Sequence, residues 1–208
     1  GQMKVASVIA LFVLGAWSTG CTYTGSVDLN PAYDIYSNFD DKVPGRWAFS
    51  SDASDFVTDA VDMDGIQCVF HTYPLDAKQA FETSALHTFT NLVDDIDLVQ
   101  NPISSDQLLD LGFKGQIIIR SKNMRAELEF IPGFWQAKAK SNVELTASLQ
   151  VAGPSGNLVG TTASDDGNGK ASAGFACEGG SDAVAEAANE AIKKILTRLA
   201  ERFASSDK

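Results

Sequence analysis

Between Trp135 and Val151 every second residue is apolar or small: Trp135, Ala137, Ala139, Ser141, Val143, Leu145, Ala147, Leu149 and Val151. Lys138, Lys140, Glu144, Thr146 and Gln150 stand at alternate positions between them. Side chains of an extended chain point to opposite faces with period two, so this run predicts one long, half-buried strand of roughly 55 Å. Such a strand needs a partner on each side. Upstream, Ala126, Leu128 and Phe130 alternate with Glu127 and Glu129, and Pro132-Gly133 supplies a turn. Downstream, GPSGN (153–157) and DDGNG (165–169) read as two further hairpins. The phase of Trp135 with Ala137 and Val143 places its ring in the core; the competing reading makes Phe134-Trp135 an apolar knob at a hairpin tip.

Shorter signals surround the meander. RWAFSS (46–51) and IQCVFHTY (66–73) have the composition of strands. Asp76 with Gln79 has capping-box spacing, and Phe81, Ala85, Phe89 and Leu92 then fall on one helical face, with Thr83, His87 and Asn91 on the other. DIDLVQ (95–100) predicts a strand, SSDQLLDL (104–111) a helical turn and GQIIIRS (115–121) a buried strand. In the last helix Ser181 is the expected cap. Asp182 and Glu186 lie near its positive end, and Arg198 and Arg202 near its negative end. Val184, Ala188, Ile192, Ile195, Leu199 and Phe203 form its apolar stripe. The order β-β-α-β-β-β-β-β-α describes an α+β fold: a mixed sheet with a long-stranded antiparallel meander packed against two main helices.

The chain has 208 residues, a length that suits one well-buried domain. Its net charge is −11, and Lys4 is the only charged side chain before Cys21. A body of that sign, without a run of Lys or Arg, repels nucleic acid and anionic headgroups. After Lys4 come thirteen uncharged residues, VASVIALFVLGAW, and then Ser18, Thr19, Gly20 and Cys21. A bilayer-spanning helix needs about 20 apolar residues, so the stretch is short for a span and has the parts of a secretion signal.

Ser18-Thr19-Gly20-Cys21 resembles the lipobox of bacterial lipoproteins, with Ser18 in place of the common Leu. The resemblance implies cleavage before Cys21, acylation of its thiol and new amine, and, with Thr22 next, anchoring in the outer membrane facing the periplasm. Residues 1–20 are then a signal peptide, 21–45 the lipidated cysteine and a flexible tether, and 46–208 a single periplasmic domain. At up to about 3.3 Å per residue the tether could hold the domain tens of ångströms off the membrane. Its aromatics, Tyr23, Tyr33, Tyr36 and Phe39, exceed what a spacer needs and are expected to dock on the domain or on a partner. The element order over residues 46 to 205 is similar to small outer-membrane lipoproteins of the YajG type.

With Cys21 lipidated, Cys68 and Cys177 remain as a pair in an oxidising compartment, and a disulfide is the economical reading. The alternative, a Cys₂His₂ metal site with His71 and His87, lacks a second closely spaced ligand pair. Asp62-x-Asp64-Gly65 has Ala60 and His71 where a calcium loop needs its first and closing ligands, and reads as a solvated turn. GNGKAS (167–172) lacks the upstream Gly and the Ser/Thr of a phosphate loop and reads as a hairpin turn. No G-x-S-x-G elbow occurs, and two histidines are the whole supply for a Ser or Cys triad. The expectation is a non-enzymatic envelope lipoprotein without cofactor or metal, an adaptor or accessory subunit of an envelope complex. Its candidate partner contacts are Phe134, Trp135, Tyr33 and Tyr36. A carrier of a small apolar ligand or lipid, with a cavity beneath the long strand, is the alternative.

Overall fold

The computed structural model describes residues 24–32, 35 and 41–206. The signal segment, Cys21, Tyr23, Tyr33, Tyr36 and Phe39 lie outside them. Among the described residues, eight strands and three helices follow the order β1 (Val43–Asp52), β2 (Val57–Thr58), β3 (Asp62–Asp64), β4 (Leu75–Asp76), α1 (Lys78–Thr90) and β5 (Val93–Leu98). After these come α2 (Ser105–Asp110), β6 (Gly115–Ile131), β7 (Lys138–Gly153), β8 (Gly156–Ser172) and α3 (Gly179–Ser206).

The main sheet runs β5-β1-β6-β7-β8, with β3 also paired to β6, so the architecture is α+β. β7 is the predicted long strand, antiparallel to β6 on one side and β8 on the other. β5 and β1 are parallel, and β1 is parallel to the first part of β6 from Gly115 to Arg120. β3 is parallel to the last part of β6, opposite Glu127 to Glu129. β6 therefore runs from an end beside α2, here the lower end, to an upper end at the β6–β7 turn. GQIIIRS and the Ala126–Phe130 alternation, expected as two elements, are this single 17-residue strand. A register shift between Ser121 and Asn123 changes the phase of the alternation midway and disguises its continuity.

Both long helices cover one face of the sheet. Every residue of the predicted α3 stripe is buried, as are Phe81, Ala85, Phe89 and Leu92. The ring of Phe203 packs edge-on against Trp47 at 5.7 Å and Phe89 at 5.5 Å, joining α3, β1 and α1. α2 covers the opposite face at the lower end, where Leu108 packs with Ala48 and Phe113. Its capping box is formed by Ser104 and Gln107. The Asp76–Gln79 box expected for α1 does not form. That helix begins one residue later, after Ala77, and Asp76 accepts from the Lys78 amide at 3.0 Å.

Glycines decide how closely α3 approaches. Gly167 and Gly169, expected in a hairpin, lie inside β8 with their α-carbons toward the helix. An added Cβ would lie 2.0 Å from the Ala187 carbonyl oxygen at Gly167 and 1.8 Å from that of Ala183 at Gly169. DDGNG and GNGKAS thus form a flat seat for a helix backbone instead of a turn. Ser181, expected as the α3 cap, is buried in its first turn. The helix starts three residues earlier because Gly179 and Gly180 fit against the Ser172 carbonyl and the Tyr73 ring, where no Cβ would.

Gly169→Ala should destabilise the fold by about 3 kcal/mol in urea unfolding, because both walls of the contact are backbone. Gly160→Ala, where a Cβ meets nothing within 4 Å, should change stability by less than about 1 kcal/mol, in the stabilising direction.

Candidate functional site

Three loops meet at the upper end of the sheet. The first, 65–73, follows β3, whose pairing with Glu127–Glu129 of β6 directs it to that end. The second, 132–137, is the β6–β7 turn. The third, 173–178, leads from β8 into α3, and the amide of Ala173 donates to the carbonyl of Ala137 at 2.9 Å. Cys68 and Cys177 are joined by a disulfide with Cα atoms 6.2 Å apart, covalently linking the first loop to the third. The buried Tyr73 closes the space beneath: its hydroxyl donates to the Cys177 carbonyl, and its ring lies 6.2 Å from that of Phe130.

Both cysteines have φ of 61°, the left-handed region that L side chains occupy at a cost of about 1 kcal/mol or more. The bridge and the hydrogen bonds around it hold them there. IQCVFHTY, expected as a strand, is consequently a chain of turns: the His71 amide donates to the Cys68 carbonyl at 2.9 Å, and Ile66, Val69 and Phe70 face outward.

Seven of the twelve exposed large apolar side chains among the described residues belong to this end: Ile66, Val69, Phe70, Ile131, Phe134, Trp135 and Phe175. Phe134 and Trp135 are each 92% exposed, stacked edge to face with centroids 4.9 Å apart. The expected burial of Trp135 fails for a geometric reason. α3 begins at Gly179, level with Ser172, and Ser172 pairs with Lys138. The turn beyond Lys138 overshoots the helix layer, so none of the described residues lies above Trp135 to bury it. At Gly133 a Cβ would lie 2.2 Å from the Gln136 carbonyl oxygen, a closeness that makes the loop tight and turns the two rings out.

The end carries little charge. Between Gly65 and Tyr73, Ile131 and Ala137, and Ala171 and Cys177 there is no Asp, Glu, Lys or Arg. Of the carboxylates that adjoin these loops, Asp64 and Glu129 stand exposed on the paired strands β3 and β6, and Glu178 is folded back on its own loop and accepts from the Ala176 amide at 2.9 Å. Hydrogen bonds from its own amide and that of Ala176 hold its carboxyl below the usual range. Lys138, Lys140 and Lys170 stand behind the tip, flanking an open groove of about 610 Å³ whose apolar lining includes Ile131, Ala137, Ala139 and Ala171.

The N-terminal stretch arrives here too. Thr24 bridges Thr72, the Gly25 amide donates to the Thr72 carbonyl at 2.8 Å, and Gly25 is buried against Tyr73 and Ser181. Val27, Leu29 and Ala32 pack on the main core, Ile35 is buried, and the Ala32 amide donates to Ser84 of α1 at 2.8 Å. The part of the expected flexible tether that the structure describes is thus laid along the body, and residues 43–45 open β1.

Among the sequence-derived candidates, Cys68, Cys177, Phe134 and Trp135 come together, and Cys21, Tyr33 and Tyr36 lie outside the described residues. The sulfurs are bonded to each other and are not available as ligands. Among the described residues no group of three or more His, Cys, Asp or Glu is placed to hold a metal ion, and no helix is long and apolar enough to cross a membrane. Sequence reasoning missed Ile66, Val69, Phe70 and Phe175. The signal for Phe175 was present as a bulky ring between Gly174 and Cys177 with no other large apolar side chain around it.

No family model matches the chain, and no curated protein matches it. Among solved structures it is similar to protein XCC0632 from Xanthomonas campestris, of family DUF330. That similarity has a TM-score of 0.45 and 12% identity over 89% of this chain and 96% of the other. The hypothetical protein CT253 from Chlamydia trachomatis matches with a TM-score of 0.38 and 9% identity over 78% and 99%. A putative neuraminyllactose-binding hemagglutinin homolog from Helicobacter pylori matches with 0.29 and 12% over 76% and 79%.

Removing the bridge as Cys68→Ser/Cys177→Ser should cost about 4 to 5 kcal/mol in denaturant unfolding, because it closes a loop of 109 residues. Cys68→Gly/Cys177→Gly should be more stable than the Ser pair by about 1 kcal/mol, since glycine removes the left-handed strain. Equal stabilities would show that the loops relax once the bridge is gone.

Proposed function

We propose that the protein is a non-enzymatic lipoprotein of the bacterial envelope, anchored by Cys21 and facing the periplasm from the outer membrane. On this reading it is an adaptor or accessory subunit that works by contact. The observation that carries the proposal is the gathering of exposed apolar rings on three loops at one end, fixed by the Cys68–Cys177 bond. A chain of net charge −11 with an uncharged, aromatic end has a surface suited to an apolar counterpart. The lipobox-like Ser18-Thr19-Gly20-Cys21 supports the anchor, and the disulfide fits an oxidising compartment.

The carrier alternative has the open groove beside Lys138 and Lys170 in its favour. Against it, the α3 backbone sits directly on β8 at Gly167 and Gly169, where a cavity beneath the meander would have to open. A native mass spectrum of the purified protein showing a co-purified lipid would favour the carrier.

Cys21→Ser should move the protein from the membrane to the soluble fraction and abolish the acyl mass on the N-terminal peptide. Retention in the membrane would refute the anchor. Phe134→Ser/Trp135→Ser should leave Tm within a few degrees of the parent, because both side chains are exposed. The same pair should abolish the light-induced adducts that a photoreactive residue at position 70 forms in intact envelopes. Adducts that persist unchanged would refute the contact surface.

A further inference from the structure

We propose that the surface met by the apolar end is the lipid bilayer itself, with Phe70, Phe134, Trp135 and Phe175 seated at its interface. This rests on the anchor proposed above and names the counterpart of that site.

The point where the chain reaches the body selects the lipid. Thr24 is bonded into the 65–73 loop through Thr72, two residues from Phe70. Three residues extend at most about 11 Å, so Cys21 cannot lie farther than that from Thr24. An acyl group on Cys21 belongs in the hydrocarbon, which brings the upper end to the bilayer and leaves the lower end, with α2 and the β7–β8 turn, farthest from it. Residues 25–32 provide no slack, because Gly25 is buried and Val27, Leu29 and Ala32 pack on the core.

Chemistry agrees with placement. The side chains that arrive first are aromatic or aliphatic on loops without charge, and Trp is favoured at the boundary between headgroup and acyl chain. Lys138 and Lys140 stand one and three residues behind Ala137, where their stems can lie along apolar surface and their amines reach headgroup phosphates. Of the carboxylates nearby, Glu178 is turned back onto Ala176, and Asp64 and Glu129 lie behind the loops on β3 and β6, with Glu129 opposite Lys140. The net charge of −11 describes the rest of the body rather than this end.

The test is depth-dependent quenching in the full chain purified from membranes and reconstituted into vesicles of phosphatidylethanolamine and phosphatidylglycerol that carry bromine on their acyl chains. Trp47 is buried in the core and serves as the protected reference, and Trp17 of the signal segment is replaced by Phe in every sample. Bromolipid should quench part of the emission of the parent protein, and Trp135→Phe should abolish that part. Phe70→Ser/Phe175→Ser, with the disulfide verified by non-reducing peptide mapping, should reduce the quenching of Trp135 by at least half. Equal emission with and without bromine would leave Trp135 in water or against a protein and overturn the proposal. Intact mass on the same sample reads the anchor separately. An acylated protein with unquenched Trp135 refutes the orientation alone, whereas an unacylated protein whose Trp135 is still quenched refutes the anchor alone.

Discussion

The backbone of α3 lies on the backbone of β8 because Gly167 and Gly169 leave no side chain between them. Much else is fixed by that contact. It sets the depth at which Val184, Ala188, Ile192 and Ile195 meet the inward side chains of β7, and it brings Phe203 to Trp47 and Phe89 at the far end of the helix. It also sets where the helix begins. With Gly179 level with Ser172, the 173–178 loop has no freedom to climb over the β6–β7 turn, and Cys177 is delivered to within bonding distance of Cys68. A packing constraint along the helix thus determines which loops share the upper end and which residues stay uncovered there.

The larger periodic features were legible in the sequence. A 16-residue strand with uninterrupted alternation and a 28-residue helix with a continuous apolar stripe repeat one signal many times, and each was read with the correct partners. Where the reading failed, a local pattern had two physical meanings. Asp-Asp-Gly-Asn-Gly is good turn chemistry, yet its glycines serve close approach, and only the position of α3 distinguishes the two. Ile66-Gln67-Cys68-Val69-Phe70 has strand composition, but Cys68 is bonded in a left-handed conformation that a strand excludes. Trp135 keeps the phase of an inward residue while standing beyond the layer that would bury it. Phase says which face a side chain shares and nothing about whether that face is covered.

The candidate site was less legible than the fold because it is assembled from three loops far apart in the chain. Phe70, Trp135 and Phe175 are each a single apolar residue in a short turn, unremarkable alone. Charge misled for a similar reason. Averaged over the chain it is acidic, whereas the three loops share an absence of Asp, Glu, Lys and Arg that appears only once topology brings them together. The pairing of Cys68 with Cys177 was the one sequence clue joining two of the loops, and it came from counting cysteines rather than from any pattern around them.

Aromatic loops ordinarily fold inward, since burying a Phe contributes about 1.5 to 3 kcal/mol. Here Phe70 and Phe175 sit two residues from bonded cysteines whose left-handed backbones redirect the chain at the positions where it would otherwise turn toward the core. Tyr73 already fills the space beneath, with its hydroxyl committed to the Cys177 carbonyl, so an inward Phe would have to displace it. Covalent closure and an occupied interior together keep the rings outward. The same arrangement ties the docked N-terminal stretch to the site, because Gly25 lies against Tyr73 and Ser181 with room for no larger residue. The exposed rings, the bridge and the entry of the chain are therefore one packed unit, so whatever loosens Tyr73 should disturb all three together.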